Sequence, residues 1–427
     1  MLTPILGAQV LPSNLRLLCG DEFIDIPRAD LFYNAIGKLS RQPLELPKSF
    51  PYQMWRRLYE CTVLLTLIAR LRYNRLPGKQ QDTRWEGTSG FLSSRGLLEF
   101  HKTSDPRDHV YGLLGLMKLD IVPDYGENMT VSDVYLEAAR YCLETKQTGN
   151  KPDSLDIPYV DILCYAGIVH GNDKPKSLPH LDLPSWVPDW RLRPPARLRL
   201  KRYPESHAFP STGGLQMHVI DHKWLCGSAV VWDTVSRTEH KTGWDLTEWD
   251  LAKEIDIGKP GDRDYPSGIS RFKAFILLWV GGLDGIKASP SACDLQLDSK
   301  LFQSYEVIFF RRVVQQLHRS VFGREEIARG LVVSNGHQEL YAARSRQLRY
   351  GMKCFHTEKG YIGFGPLATE VGDVVCILEG HKAPVLLRRR GSHYIFVGDC
   401  DVVGIMNGEV LEAVKHGEAA ITEIEIR

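Results

Sequence analysis

Asp105, Arg107, Asp108 and His109 fall within the stretch DPRDHVYGLLGL (105–116), and Asp189 sits in LPSWVPDW (183–190). Carboxylates and an imidazole at this density are the parts of an acid–base site, with Arg107 placed to orient a carboxylate or an enolate. On that reading the chain is a small-molecule cyclase or isomerase, of the kind used in secondary metabolism, needing neither metal nor nucleotide cofactor. The same residues have a structural reading, and it carries the greater weight. Asp105 is a helix cap, Pro106 suits the first helical position, and Asp108 stands where a capping box is completed. Arg107 lies between two carboxylates, so an ion-pair network, with Asp108 facing it, would pin it. Behind the cap, Val110, Leu113, Leu114 and Leu116 form a short apolar face, which Gly115 weakens near its end.

Other chemical signals are weaker. Gly363 and Gly365 make a GFG, but Pro366 follows at once and no helix opens there, so the geometry that cradles a phosphate is missing. GxxxxGK[ST], HExxH and GxSxG do not occur. His218 and His222 are four apart but flank an expected turn, which argues against a metal pair. Nine cysteines are scattered without any CxxC spacing. This usage suits reduced thiols in a cytoplasmic protein and gives no zinc signature. The segment RLRPPARLRLKR (191–202) is basic, but it lacks aromatic interleaving and reads as a solvated linker, with no nucleic-acid partner.

The balance of 53 Lys and Arg against 52 Asp and Glu implies no polyelectrolyte partner, and 43% apolar residues in 427 suits a globular protein of two or three domains. The most apolar runs, 61–69 and 274–282, are shorter than the ~20 residues that span a bilayer. The expected fold is α+β. A mainly helical module at 1–205 precedes a β-rich module at 206–427, built as a small barrel or curled sheet with helices inserted around 271–322.

Helices are expected from Pro27 to Lys38, from Met54 to Leu71, and from Val131 through Cys142 behind a Thr130–Asp133 capping box. Further helices are expected over Leu155–Gly167, Arg271–Val280 and Tyr305–Phe322. Trp186 and Trp190, in a loop kept irregular by Pro184 and Pro188, are expected to anchor that loop to the helices. Strand periodicity begins at Leu15–Cys19 and returns from Leu215, with a hairpin turning near Asp221 and a strand through Val235. Residues 236–268 read as a polar connection. Five short strands follow, at 353–356, 361–364, 374–378, 385–389 and 394–397.

DPRD followed by Tyr111 and LLGL resembles the fungal heterokaryon-incompatibility (HET) proteins. The resemblance continues in order through VPDYGENMTVSDVYLEAARYCL, DILCYAG, LPSWVPDW, GYIGFGPLATEVGDVVCILEG, PVLLRRR and VGDCDVVGIMNGE. The positions carrying it include Trp186, Pro188, Asp189, Trp190, Gly363, Gly365, Pro366, Gly372, Asp373, Gly404, Gly408 and Glu409. It implies a protein of non-self recognition and incompatibility-linked cell death, acting as a scaffold or regulatory surface with a protein partner. The family's LSYxWG-, WIDxxCINQ- and RxWxxQE-like core segments do not occur here. The chain therefore reads as a short homologue or as one with a misplaced gene start, and no activity of that core carries over. The closing C-Y-V-H-G pattern also departs, with Asp401 and Val403 at its aromatic and histidine positions.

Overall fold

The computed structural model describes residues 16–19, 22–25, 90–92, 103–117, 119–144, 161–168, 180–192, 208–209, 215–221, 223–242, 265–280, 302–309, 311–312, 337–338, 341–342, 345 and 351–427. The helices expected at 27–38 and 54–71, and most of the basic linker, lie outside these residues. The chain falls into two compact units. One comprises Met1–Val160 with Asp189–Pro194, the other Asp161–Pro188 with Pro195–Arg427. The fold is mixed α+β with a sheet-rich C-terminal region.

In the first unit, strands β1 (Arg16–Cys19) and β2 (Glu22–Asp25) form an antiparallel hairpin. The sequence reading found only its first strand. Helix α1 runs over Asp108–Met117 and α2 over Val131–Glu144. The α2 capping box forms as expected. Thr130 N–H donates to Asp133 at 3.0 Å, and Asp133 N–H donates to the Thr130 hydroxyl at 3.2 Å. Val134, Tyr135, Ala138, Ala139 and Cys142 line its buried face.

The second unit is organised by β4 (Trp224–Thr242), entered from β3 (His218–Ile220) through a tight turn at Asp221, whose φ is +48°. Strands β5 (Met352–Thr357), β6 (Ile362–Pro366), β7 (Val374–Leu378), β8 (Val385–Arg390) and β9 (His393–Asp399) realise the five expected strands. Short β10 (Asp401–Val402), helix α4 (Glu409–Lys415, after α3 at Arg271–Val280) and β11 (Thr422–Ile426) complete the chain. The sequence reading missed these last three elements, because each is short or buries only part of its length.

Pairing runs β4–β11–β9–β8–β7 and returns from β7 to β4, so five strands close into a ring. Closure removes the exposed edges that an open sheet of this size would present. β4 is long enough to serve both the ring and a second sheet, β4–β5–β6–β10. Register shifts between Val231 and Asp233, and again beyond Val235, bend it from one to the other. β4 thus runs to Thr242, seven residues into the stretch expected from 236 as a polar connection. β7 is buried at all five residues, which explains why VVCIL reads as a continuous apolar run instead of alternating. α3 buries Ala274 through Val280 in the same core as Val230, Phe355, Phe364 and Leu386.

One expected helix is corrected. Of Leu155–Gly167, residues 162–165 form a single 3₁₀ turn, N-capped by Asp161, whose side chain accepts from Leu163 N–H at 2.9 Å. Ala166 is already extended. The cap satisfies the local donors of a turn too short to propagate as a helix. Helical residues at 302–309 and 311–312 cover the described part of the helix expected over 305–322.

Candidate functional site

DPRD forms a clamp. Asp105 Oδ1 accepts from the backbone N–H of Arg107 at 2.9 Å, and its two oxygens take the Arg107 Nε and Nη2 donors at 3.1 and 2.8 Å. The other arm of the guanidinium, Nη1, donates to the carbonyls of Gly126 and Met129 at 3.3 and 3.2 Å. Tyr135 of α2 donates its hydroxyl to Pro106 O at 2.8 Å, and Tyr111 of α1 donates to Asp124 O at 3.2 Å. Loop 119–130 is therefore held at several backbone oxygens from one side. The hydrogen bond from Arg107 holds the Asp105 carboxyl below its usual range.

Two details of the sequence reading are corrected. Asp108 does not face Arg107. Its Oδ1 accepts the Tyr125 hydroxyl at 2.6 Å, and Tyr125 also stacks edge-on against Tyr111 and lies 5.1 Å beneath the Arg107 guanidinium. The helix also starts at Asp108 rather than Pro106. The preceding turn is closed by i→i−3 bonds from Asp108 to Asp105 and from His109 to Pro106. His109 is buried in the first turn of α1.

Asp189 joins none of these residues. It repeats their device with its own arginine: Arg191 N–H, Nε and Nη2 donate to Asp189 at 3.2, 2.8 and 2.6 Å. This pair is more buried, with Arg191 and Asp189 side chains 5% and 15% exposed against 19% and 32% for Arg107 and Asp105. The Asp-x-Arg pattern shared by 105–107 and 189–191 is the signal of this pairing that the sequence carries.

LPSWVPDW divides between the units. Trp190, on the first unit's side, packs edge-on against Phe91 at 5.4 Å, as an anchor to helical residues should. Trp186 belongs to the other unit. It is fully buried in the sheet unit, where its indole N–H donates to Lys223 O at 3.1 Å. Beside it the Ser185 hydroxyl donates to Arg427 O and accepts from Phe396 N–H, tying the segment to β9 and β11.

The C-terminal motif residues serve closure and packing. A Cβ at Gly363 would lie 2.5 Å from Asp401 O and from the Phe355 ring, so glycine is what lets β10 and β5 approach β6. Gly365 is equally crowded, by Leu386 and Thr369, while the ring of Pro366 fills the space over Gly398. Gly372 makes the β6–β7 turn at φ +91°. Asp373 behind it receives Arg388 Nε at 2.8 Å and Glu370 N–H at 2.8 Å. Gly404 and Gly408 take positive φ, and Glu409 accepts from Asn407 N–H. At the departures from the family pattern, Asp401 lies in β10 and pairs with Phe364 of β6, and buried Val403 donates its N–H to Ile362 O.

The sequence reading missed a buried cluster altogether. His381, 1% exposed, is held between Asp161 and Asp399, with Nδ1 2.6 Å from Asp161 Oδ2 and Nε2 3.0 Å from Asp399 Oδ1. Cys164 Sγ lies 3.8 Å from Asp161 Oδ1. Burial disfavours charge on the ring, but the two carboxylates outweigh it and push the imidazole up to about 10. Asp161 and His381 are 220 residues apart, so no local spacing could announce them.

Comparison with known proteins accords with this architecture. Residues 330–419 match the Het-6 beta-barrel domain, a span that contains β5 to α4 and so three strands of the ring, β7, β8 and β9. Heterokaryon incompatibility protein 6, OR allele, of Neurospora crassa is 23% identical over 355 residues, 73% of this chain and 50% of that protein. Through these two matches the chain is similar to the heterokaryon-incompatibility proteins. It spans about half the length of the curated relative it matches. No solved structure matches it. Among the described residues, no helix is long and apolar enough to cross a membrane.

Proposed function

We propose that this protein acts in fungal heterokaryon incompatibility as a non-enzymatic recognition or regulatory part of the response to non-self. The alignment with heterokaryon incompatibility protein 6 over 73% of this chain carries the reading. The geometry of DPRD supports it. The ionisable groups offered as acids and bases are engaged with one another, with Tyr125 and with backbone oxygens, which positions a loop. That loop displays apolar surface: Val122 is 80% exposed and Tyr125 51%. A rigidly held loop presenting an aromatic and a β-branched side chain suits a protein partner better than a small substrate.

Pairing of fungal strains tests the proposal. Deleting the gene, or exchanging its allele, should change which strains form a viable heterokaryon. Val122→Ser, at an exposed site, should change the outcome of pairing while leaving the melting temperature as it is. Unaltered compatibility in both deletion and exchange strains would refute the proposal.

A further inference from the structure

We propose that Asp161, Cys164 and His381 bind a divalent cation of the zinc type, with Asp399 orienting the histidine ring. Their ligand atoms lie within 4.8 Å of one another and all three residues are buried. The donors are one nitrogen, one sulfur and one oxygen, a set that suits zinc and is poorly matched to calcium or magnesium.

The arrangement has two layers. In the inner one, the 3₁₀ turn puts Asp161 and Cys164 on one side, since residues three apart eclipse in such a turn. Asp161 spends Oδ1 on Leu163 N–H, at 2.9 Å, and turns Oδ2 toward Nδ1 of His381. In the outer layer Asp399 accepts from Nε2–H at 3.0 Å. A carboxylate there fixes the tautomer that leaves Nδ1 as a lone pair, the arrangement that accompanies most metal-binding histidines.

Zinc bond lengths of about 2.0–2.3 Å place tetrahedral ligands roughly 3.3–3.8 Å apart. The cation would take the place of the proton now shared by Nδ1 and Oδ2, and their 2.6 Å separation would open by something under 1 Å. Binding displaces one proton from the His381 imidazolium and one from the Cys164 thiol, and a water fills the fourth position. The consequence is mechanical. The cation would staple the 161–165 turn to the turn after β7 and, through Asp399, to the end of β9.

The test uses the full chain, purified without chelator, and reads metal content and spectra rather than compatibility, so its failure is separable from failure of the recognition reading. About one equivalent of zinc per chain is expected. Cobalt exchanged into the site should show a tetrahedral visible spectrum with a thiolate-to-metal charge-transfer band. Cys164→Ser should lose that band, and Asp399→Asn should weaken metal affinity by about 10–100-fold. Should His381→Ala fail to fold, the Cys164 and Asp399 variants still decide the matter. Absence of metal, with both ring nitrogens of His381 remaining protonated under excess zinc, overturns the proposal and leaves a buried ion pair. A cobalt band that survives in Cys164→Ser overturns it equally.

Discussion

The two Asp-x-Arg clamps allow one substitution to be made twice in different surroundings. Asp105→Asn and Asp189→Asn both keep an oxygen for the backbone N–H of the arginine two residues on, and both remove the carboxylate charge. The difference lies in the solvent. Arg191 is 5% exposed and its carboxylate 15%, so the bidentate pair works in a low-dielectric setting, where a bond to a charged group contributes about 1.5–3 kcal/mol. Removing the charge also leaves a guanidinium buried beside a neutral amide, which adds to the cost. Asp105 is 32% exposed and faces solvent screening, so its loss should be distinctly smaller. Both residues belong to the same compact unit and should report on the same unfolding transition. Denaturant melts at constant m-value should place Asp189→Asn about 1.5–3 kcal/mol below wild type. Asp105→Asn should lie between the two. A cycle with Arg191→Lys should return most of the Asp189 loss as coupling energy, because lysine cannot reproduce the fork. Equal losses at the two sites, or a larger one at Asp105, would refute the reasoning from burial.

Three further outcomes follow from other sites. The Asp105 carboxyl is held below its ordinary range in the folded protein, so its contribution is present above the unfolded value and lost as pH falls through the folded one; the stability gap between wild type and Asp105→Asn, read by denaturant melts, should be full at neutral pH and narrow as acid carries the solution below the ordinary carboxylate range. Gly363→Ala forces a Cβ to 2.5 Å from Asp401 O and Phe355, and the strands cannot part without losing ladder bonds. It should destabilise the sheet unit by about 1–3 kcal/mol, with hydrogen exchange rising in β5, β6 and β10. Tyr265→Phe strips a buried hydroxyl that donates to Val403 O at 2.8 Å and accepts from Ile362 N–H at 3.1 Å. Calorimetry should show a loss of about 1–3 kcal/mol for the groups left unpaired.

What could be read along the chain was whatever is decided locally. The α2 capping box needs only Thr130 and Asp133, the turn into β4 only Asp221 between two strand-like runs, and the five strands from β5 to β9 only their apolar residues and the glycines between them. Local periodicity overreached at 155–167, where the spacing of Ile162, Leu163 and Ala166 matched a helix but the Asp161 cap and the extended Ala166 leave a single turn. Ring closure was beyond any such pattern, because β4 meets β7 and β11 across gaps of well over a hundred residues, and a strand's sequence does not name its partner. The same holds for the polar groups. Sequence proximity placed Arg107 in a network between two carboxylates; the fold keeps its pair with Asp105, adds the carbonyls of the loop, and gives Asp108 the Tyr125 hydroxyl instead. Asp161, Cys164, His381 and Asp399 lie in three separate stretches of chain. Only the packing of a 3₁₀ turn against the end of a barrel makes them neighbours, since burial and charge act across space and leave no periodic trace in the order of residues.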